Sequence, residues 1–272
     1  MQGSFLKKID WWIILALIPL LLLSLSTVSS FTDVAGNLAT RQFIWILISF
    51  SLLFFTSSLD LTFLKQSKVL ILLYGIGTSL LVALMFFGHT VNGSKSWFSF
   101  GVFSFQPSDM LKLILILLLA KYLSRRHVEI RAMKHIVVTA LYFLIPFLLI
   151  FLQPAFGSAI ILFFIWLGMI LVSGISKKHL LILVTFGVGV FMLMWGFVFK
   201  DYQKARIKTF VDPLSDIRGA GYNAYQSTIA VGSGQFMGKG VGYGTQSRLN
   251  FLPEHETDFI FAAISELSLI HI

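Results

Sequence analysis

Residues 219–261 read GAGYNAYQSTIAVGSGQFMGKGVGYGTQSRLNFLPEHETDFIF, and their character decides how the rest of the chain must be arranged. Almost everything before them is apolar, whereas this stretch is polar and rich in glycine. It closes on a carboxylate, Asp258, where a new apolar run begins. A long irregular backbone does not survive in hydrocarbon, because its N–H and C=O groups would go unpaired. The stretch therefore lies outside a bilayer or folds over a cavity at its surface. It reads as the working part, and the apolar segments read as its mount.

Composition supports that division. Of the 272 residues, 57% are hydrophobic and 12% charged, against about 45–50% and about 25% in soluble domains. Several runs approach the ~20 apolar residues that cross a bilayer. The expected fold class is an all-α polytopic membrane protein. Spans are predicted at 11–29, 42–59, 69–88, 109–123, 135–152, 156–174 and 180–199, with another starting near 258. The first run follows Lys7 and Lys8; it is too long for a signal-peptide core and other spans follow it, so it reads as a helix that stays. The absence of cysteine excludes thiolate metal sites, disulfides and cysteine nucleophiles.

The net charge of +9 sets orientation rather than nucleic-acid binding. Alternate loops collect Lys7, Lys8, Lys65, Lys68, Lys121, Arg125, Arg126, Arg131, Lys134, Lys177 and Lys178, while the short loops opposite hold Arg41 and Lys95. This bias puts the N-terminus in the cytoplasm and residues 200–257 on the far side. Loops approaching ~60 residues escape the rule, so the basic residues between Lys200 and Arg248 do not contradict it.

Three shorter motifs precede the long loop. QPSDMLKL opens a span, with Pro107 as a start signal, Ser108 as a candidate N-cap and Asp109 in the first turn. Lys112 falls on the same face as Asp109, either as an internal ion pair or as a cation held near an anionic substrate. VNGSKSWFSFGVFSFQPS carries a turn at Asn92-Gly93 and aromatics at Trp97, Phe98, Phe100, Phe103 and Phe105. It reads as an interfacial aromatic belt, or as a segment lining a lipid groove. LQPAFGSAII makes a tight hairpin or a broken helix around Pro154.

Within the long loop, Tyr225 to Val231 predicts a short amphipathic helix with Gln226 on its polar side. The glycines that follow lack the GxxxxGK[ST] pattern of a phosphate loop, and close backbone packing against a headgroup or a neighbouring helix suits them better. Asp258 meets the apolar run in one of two ways. It is a partly desolvated base, or a helix N-terminal residue helped by Thr257 as cap.

The runs NGSKSWFSFG, QPSDMLKL, LQPAFGSAI, RIKTFVDPLSD, GAGYNAYQSTIAVGSG and GKGVGYGTQSRLNFLPEHETDFIFA resemble the SEDS family of shape, elongation, division and sporulation proteins. GTQ followed by FLPE and TDFIFA is most similar to its rod-shape branch. The resemblance runs to about Glu266. It implies a single SEDS-type domain over residues 1–272 and a ten-helix membrane glycosyltransferase of the bacterial plasma membrane. Such an enzyme polymerises lipid II into peptidoglycan strands beside a class B penicillin-binding protein. The proposed catalytic acid of the family falls on Asp258.

Four departures stand out. Ala155 occupies a position that is often Asp in the family, Ser96 one that is often Arg, and Glu256 one that is usually His. The run ISELSLIHI ends inside the eighth span, so a C-terminally truncated chain is expected, with Glu266 as a surviving second acid of the motif.

The chemistry implied is economical. A sugar C1 carrying a diphosphate needs no strong general acid, unlike ordinary glycoside hydrolysis. It needs a base for the acceptor hydroxyl and positive charge for the leaving group. Asp258 is the candidate base. Lys112, Arg206, Lys239 and Arg248 are candidate cations, with Gln226 and Gln246 as further substrate-binding candidates and Trp97 lining the way in. A divalent Mg or Mn ion held by Glu254 or Asp258 would share the load. A lipid II flippase and a non-catalytic scaffold for a penicillin-binding protein are the alternatives. The nearly charge-free mid-helix regions disfavour a flippase, and the polar glycine-rich loop disfavours a scaffold.

Overall fold

The computed structural model describes residues 9–30, 38–91, 94–100, 103–124, 133–214, 216–219, 221–240, 242–254 and 256–268. The chain divides into two compact units, one of Met1–Leu59 with Leu193–Ile272 and one of Asp60–Met192.

The second unit holds the larger cluster of buried hydrophobic residues. It contains a 3-10 turn (Leu61–Lys65), helix α3 (Ser67–Phe87), strands β1 (His89–Val91), β2 (Ser94–Phe100) and β3 (Phe103–Phe105), and helices α4 (Pro107–Ser124), α5 (Met133–Leu152) and α6 (Phe156–Val172). Helix α3 buries Leu70, Tyr74, Gly77, Leu81 and Leu84, a stripe that recurs every three or four residues. It meets the Leu111, Leu115 and Leu119 face of α4. An added Cβ at Gly77 would lie 2.7 Å from Leu111 Cδ1, so the missing side chain lets the two helices approach closely. Between α5 and α6, Phe143 stacks on Trp166 at 5.0 Å between ring centroids. Two side-chain hydrogen bonds tie α3 to the α5 region: Tyr74 Oη donates to the Tyr142 carbonyl at 2.8 Å, and the buried Gln153 Nε2 to the Leu81 carbonyl at 2.7 Å.

The aromatic segment before α4 forms a small antiparallel sheet in the order β1-β2-β3, with Phe98 opposite Phe105 and His89 opposite Trp97. The sequence reading left it without secondary structure. Strands β1 and β3 are too short for a period of two to register, and in β2 the adjacent Trp97 and Phe98 break it. Phe98 packs against the helical core and Trp97 is half-buried. The Asn92-Gly93 turn and the Phe103 side chain lie outside the described residues.

Helix α4 begins two residues earlier than the span predicted from 109. Pro107 is its first residue and Ser108 its second, so Ser108 is not the cap. Proline suits that place because its missing N–H has no partner to lose there and its φ is already helical. Asp109 sits in the first turn and Lys112 Nζ meets its Oδ1 at 2.8 Å.

The first unit contains α1 (Trp11–Ser29), α2 (Leu38–Ser58), α8 (Asp201–Val211), α9 (Tyr222–Ser233), α10 (Thr245–Arg248) and α11 (Ile260–Ser268). Helix α7 (Lys177–Phe197) runs across the boundary between the units. In the first unit α1 packs on α2 and α11, and α9 packs on α11. Among the described residues, five helices are long and apolar enough to cross a membrane: α1, α2, α3, α5 and α7. Helix α6 is apolar but shorter. The expected helix near Tyr225 runs from Tyr222 to Ser233, and α8 and α10 add helix to a stretch read mainly as loop.

Candidate functional site

Residues 222–268 of the first unit fold as one arrangement. Helix α9 ends at Gly234, where an added Cβ would come within 2.2 Å of the Ser265 carbonyl oxygen. The glycine-rich run then lies along α11. Lys239 N donates to the Glu266 carbonyl at 2.9 Å and Gly240 N to the Leu267 carbonyl at 3.0 Å. Gly238, Gly240 and Gly242 have φ of 70°, 90° and 86°, values that glycine adopts without strain. The glycines thus serve close packing against a neighbouring helix.

Glu266 lies at the centre, with 0% of its surface exposed. Its Oε1 accepts from Gln246 N at 2.8 Å and from Thr245 Oγ1 and Lys239 Nζ, each at 3.3 Å. Its Oε2 accepts from Ser247 N at 3.1 Å and from Ser247 Oγ. Lys239 Nζ also donates to Thr245 Oγ1 at 2.6 Å. A buried carboxylate must be paired and hydrogen-bonded, or its charge is too costly to keep. Here α10 and Lys239 supply those partners. Arg248, at the end of α10, is exposed and its Nη1 reaches the Gly242 carbonyl at 3.5 Å.

Asp258 has the opposite surroundings. Its side chain is exposed, and no described residue hydrogen-bonds or ion-pairs with it. The desolvation expected for it falls on Glu266 instead. Helix α11 starts at Ile260, so Asp258 stands in the turn before the helix. Thr257 does not cap that helix: its Oγ1 donates to Glu254 Oε2 at 3.1 Å, and Phe259 N is taken by the Glu254 carbonyl. The turn around Glu254 absorbs the donors that an earlier helix start would have used.

The remaining sequence candidates are dispersed. Gln226 is half-buried on α9, Gln246 is half-buried on α10, and Arg206 is exposed on α8. Lys112 and Trp97 belong to the second unit, where Lys112 is paired with Asp109. His255 lies outside the described residues. Among the described residues, no group of three or more His, Asp or Glu side chains converges as an all-protein metal site would require. Sequence reasoning brought Glu266 forward only as a motif residue. The usable signal was a lone acid inside the apolar run AAISELS, which must find donors elsewhere in the chain.

The fold defines a multi-pass membrane protein with a glycine-rich polar segment braced on a short helix. More narrowly, the chain belongs to the FtsW/RodA/SpoVE family of cell cycle proteins, whose profile matches residues 5–269. The SEDS resemblance is thereby borne out. The chain is 38% identical over 194 residues to the peptidoglycan glycosyltransferase MrdB of Escherichia coli (strain K12), covering 71% of this chain and 52% of that one. A probable peptidoglycan glycosyltransferase FtsW of Nitrosococcus halophilus (strain Nc4) is 34% identical over 227 residues, 83% of this chain and 58% of that one. The chain thus spans about half the length of the curated relatives it matches. Among solved structures, a chain of a peptidoglycan synthase complex that coordinates polymerization and crosslinking aligns with a TM-score of 0.75 at 26% identity, covering 95% of this chain and 71% of that one. The rod shape determining protein RodA of Thermus thermophilus shares the fold, with a TM-score of 0.57 at 23% identity, covering 96% of this chain and 95% of that one.

Proposed function

We propose that this chain acts as a peptidoglycan glycosyltransferase that polymerises lipid II in the bacterial plasma membrane, beside a class B penicillin-binding protein. Its N-terminus faces the cytoplasm and residues 200–257 face outward. One observation carries the reading. In a family whose relatives are named peptidoglycan glycosyltransferases, Asp258 is an exposed carboxylate with no described partner at the junction of the polar segment and α11. A general base must be reachable by the proton it takes, and an unpaired carboxylate is.

In this reading, the acceptor sugar hydroxyl gives its proton to Asp258 as its oxygen attacks C1 of the donor. The new C–O bond forms as the C1–O bond to the diphosphate breaks, and the lipid diphosphate departs with the electron pair. Positive charge stabilises the leaving group in the transition state. Arg206 and Arg248 are two of the exposed cations of the same unit, and Lys112 is a third candidate. Gln226 and Gln246 offer hydrogen bonds to the sugars, and Trp97 offers an apolar surface to the lipid. A divalent Mg or Mn ion would be held by Glu254 or Asp258 together with the diphosphate, whose charge it would help to offset, and no step is routed through it.

The test is polymerisation of purified lipid II in detergent, where a flippase has no compartments to join. The expected result is glycan strands from the chain and a loss of about 10²-fold or more for Asp258→Asn, with lipid II still bound. Undiminished polymerisation by Asp258→Asn would remove that carboxylate from the mechanism.

A further inference from the structure

We infer that Glu266 is an internal anion that positions residues 238–248, and through them Gln246 and Arg248, for substrate. The phrase "for substrate" rests on the function proposed above; the positioning itself does not.

The direction of the hydrogen bonds is the argument. Among the described residues, the five side-chain and backbone donors to the Glu266 carboxylate come from the 239–247 segment, and none from its own helix. The carboxylate therefore does little to hold α11 together and much to hold the segment down. Two of its donors are the adjacent backbone N–H groups of Gln246 and Ser247. Fixing both fixes the backbone from which the Gln246 and Arg248 side chains project. The same contact neutralises Lys239, whose ammonium reaches Glu266 Oε1 and Thr245 Oγ1. Lys239 is thereby a brace for the segment, and the outward cation of this element is Arg248. A fully buried, donor-saturated acid is also unavailable as a base. Asp258 and Glu266 divide the work: Asp258 faces outward and reacts, while Glu266 faces inward and sets the frame.

A neutral isostere should fail here. In Glu266→Gln one carboxylate oxygen becomes an NH₂ group that faces donors whichever way the amide turns. Loss of a buried charged hydrogen-bond acceptor leaves its partners unsatisfied.

Hydrogen exchange of the purified chain in detergent tests this, with lipid II affinity measured alongside. In Glu266→Gln the amides of Gln246 and Ser247 should exchange about tenfold faster or more, while helices α3 to α6 keep wild-type protection. In Glu266→Gly, sodium formate should restore protection at those two amides, and sodium chloride at equal ionic strength should not. Lipid II affinity should fall and recover in step. Equal protection in wild type and Glu266→Gln would overturn the inference. So would a loss spread over the whole first unit that formate does not reverse, because that is the mark of packing alone. If the Glu266 variants do not fold, Ser247→Ala removes one donor and keeps the charge. Faster exchange confined to 245–248 supports the inference, and unchanged exchange there overturns it. Lost protection with unchanged lipid II affinity would overturn the link to substrate. Absence of lipid II binding by the wild-type chain would count against the proposed function, while the exchange measurement still decides the role of Glu266.

Discussion

An acid kept inside a protein must be surrounded by donors, and an acid that takes a proton from a substrate must not be. Glu266 and Asp258 fall on opposite sides of that divide within one short segment. The frame around Glu266 also depends on what is missing. Gly234 stands where a Cβ would meet the Ser265 carbonyl oxygen at 2.2 Å, and a backbone atom cannot swing aside. Gly234→Ala is expected to cost about 1–3 kcal/mol, read as a lowered midpoint of thermal unfolding in detergent. An unchanged midpoint would mean that α9 and α11 are not in contact there. At this scale the sequence was half legible. Asp258 showed itself because a carboxylate interrupts the text where polar loop turns into apolar helix. The role of Glu266 was hidden because its partners lie across the glycine-rich run, and no local pattern links Ser247 to it.

Helices were the most legible elements. Long apolar runs have one stable form in a bilayer, so α1, α3, α5 and α7 fall within a few residues of their sequence positions. Ends were less legible, because caps depend on single side chains: Pro107 took the first position of α4, and Glu254 delayed the start of α11. The sheet before α4 was missed because β1 and β3 have only three residues each and β2 sets Trp97 beside Phe98, which breaks the alternation. Which face of a helix is buried was not visible either, since both faces are apolar. Helix α4 illustrates this, with Leu115 at 0% exposure and Leu113 at 66%. Leu115→Ala should cost about 2–5 kcal/mol, whereas Leu113→Ala should stay within about 0.5 kcal/mol. Thermal unfolding of the two variants in detergent compares them directly. Equal effects would contradict the packing of α4 against α3.

Over the whole molecule, apolar helices anchor the polar segment in which the proposed chemistry lies. Helices α2 and α7 bury no residue within the protein, as expected of surfaces that face lipid or a partner helix. The orientation proposed above places Lys178 in the cytoplasm and Asn223 outside. Because the chain has no cysteine, single substitutions report this cleanly. A membrane-impermeant maleimide should label Asn223→Cys in intact cells and Lys178→Cys only after permeabilisation; the reverse pattern would invert the topology. The central claim, that an outward-facing carboxylate drives glycan transfer at the membrane surface, is tested most directly by the transfer rate of Asp258→Asn measured beside its lipid II affinity. The expected result is an affinity within about threefold of wild type and a rate lower by about 10²-fold or more. A variant that transfers sugar at the wild-type rate would contradict the account.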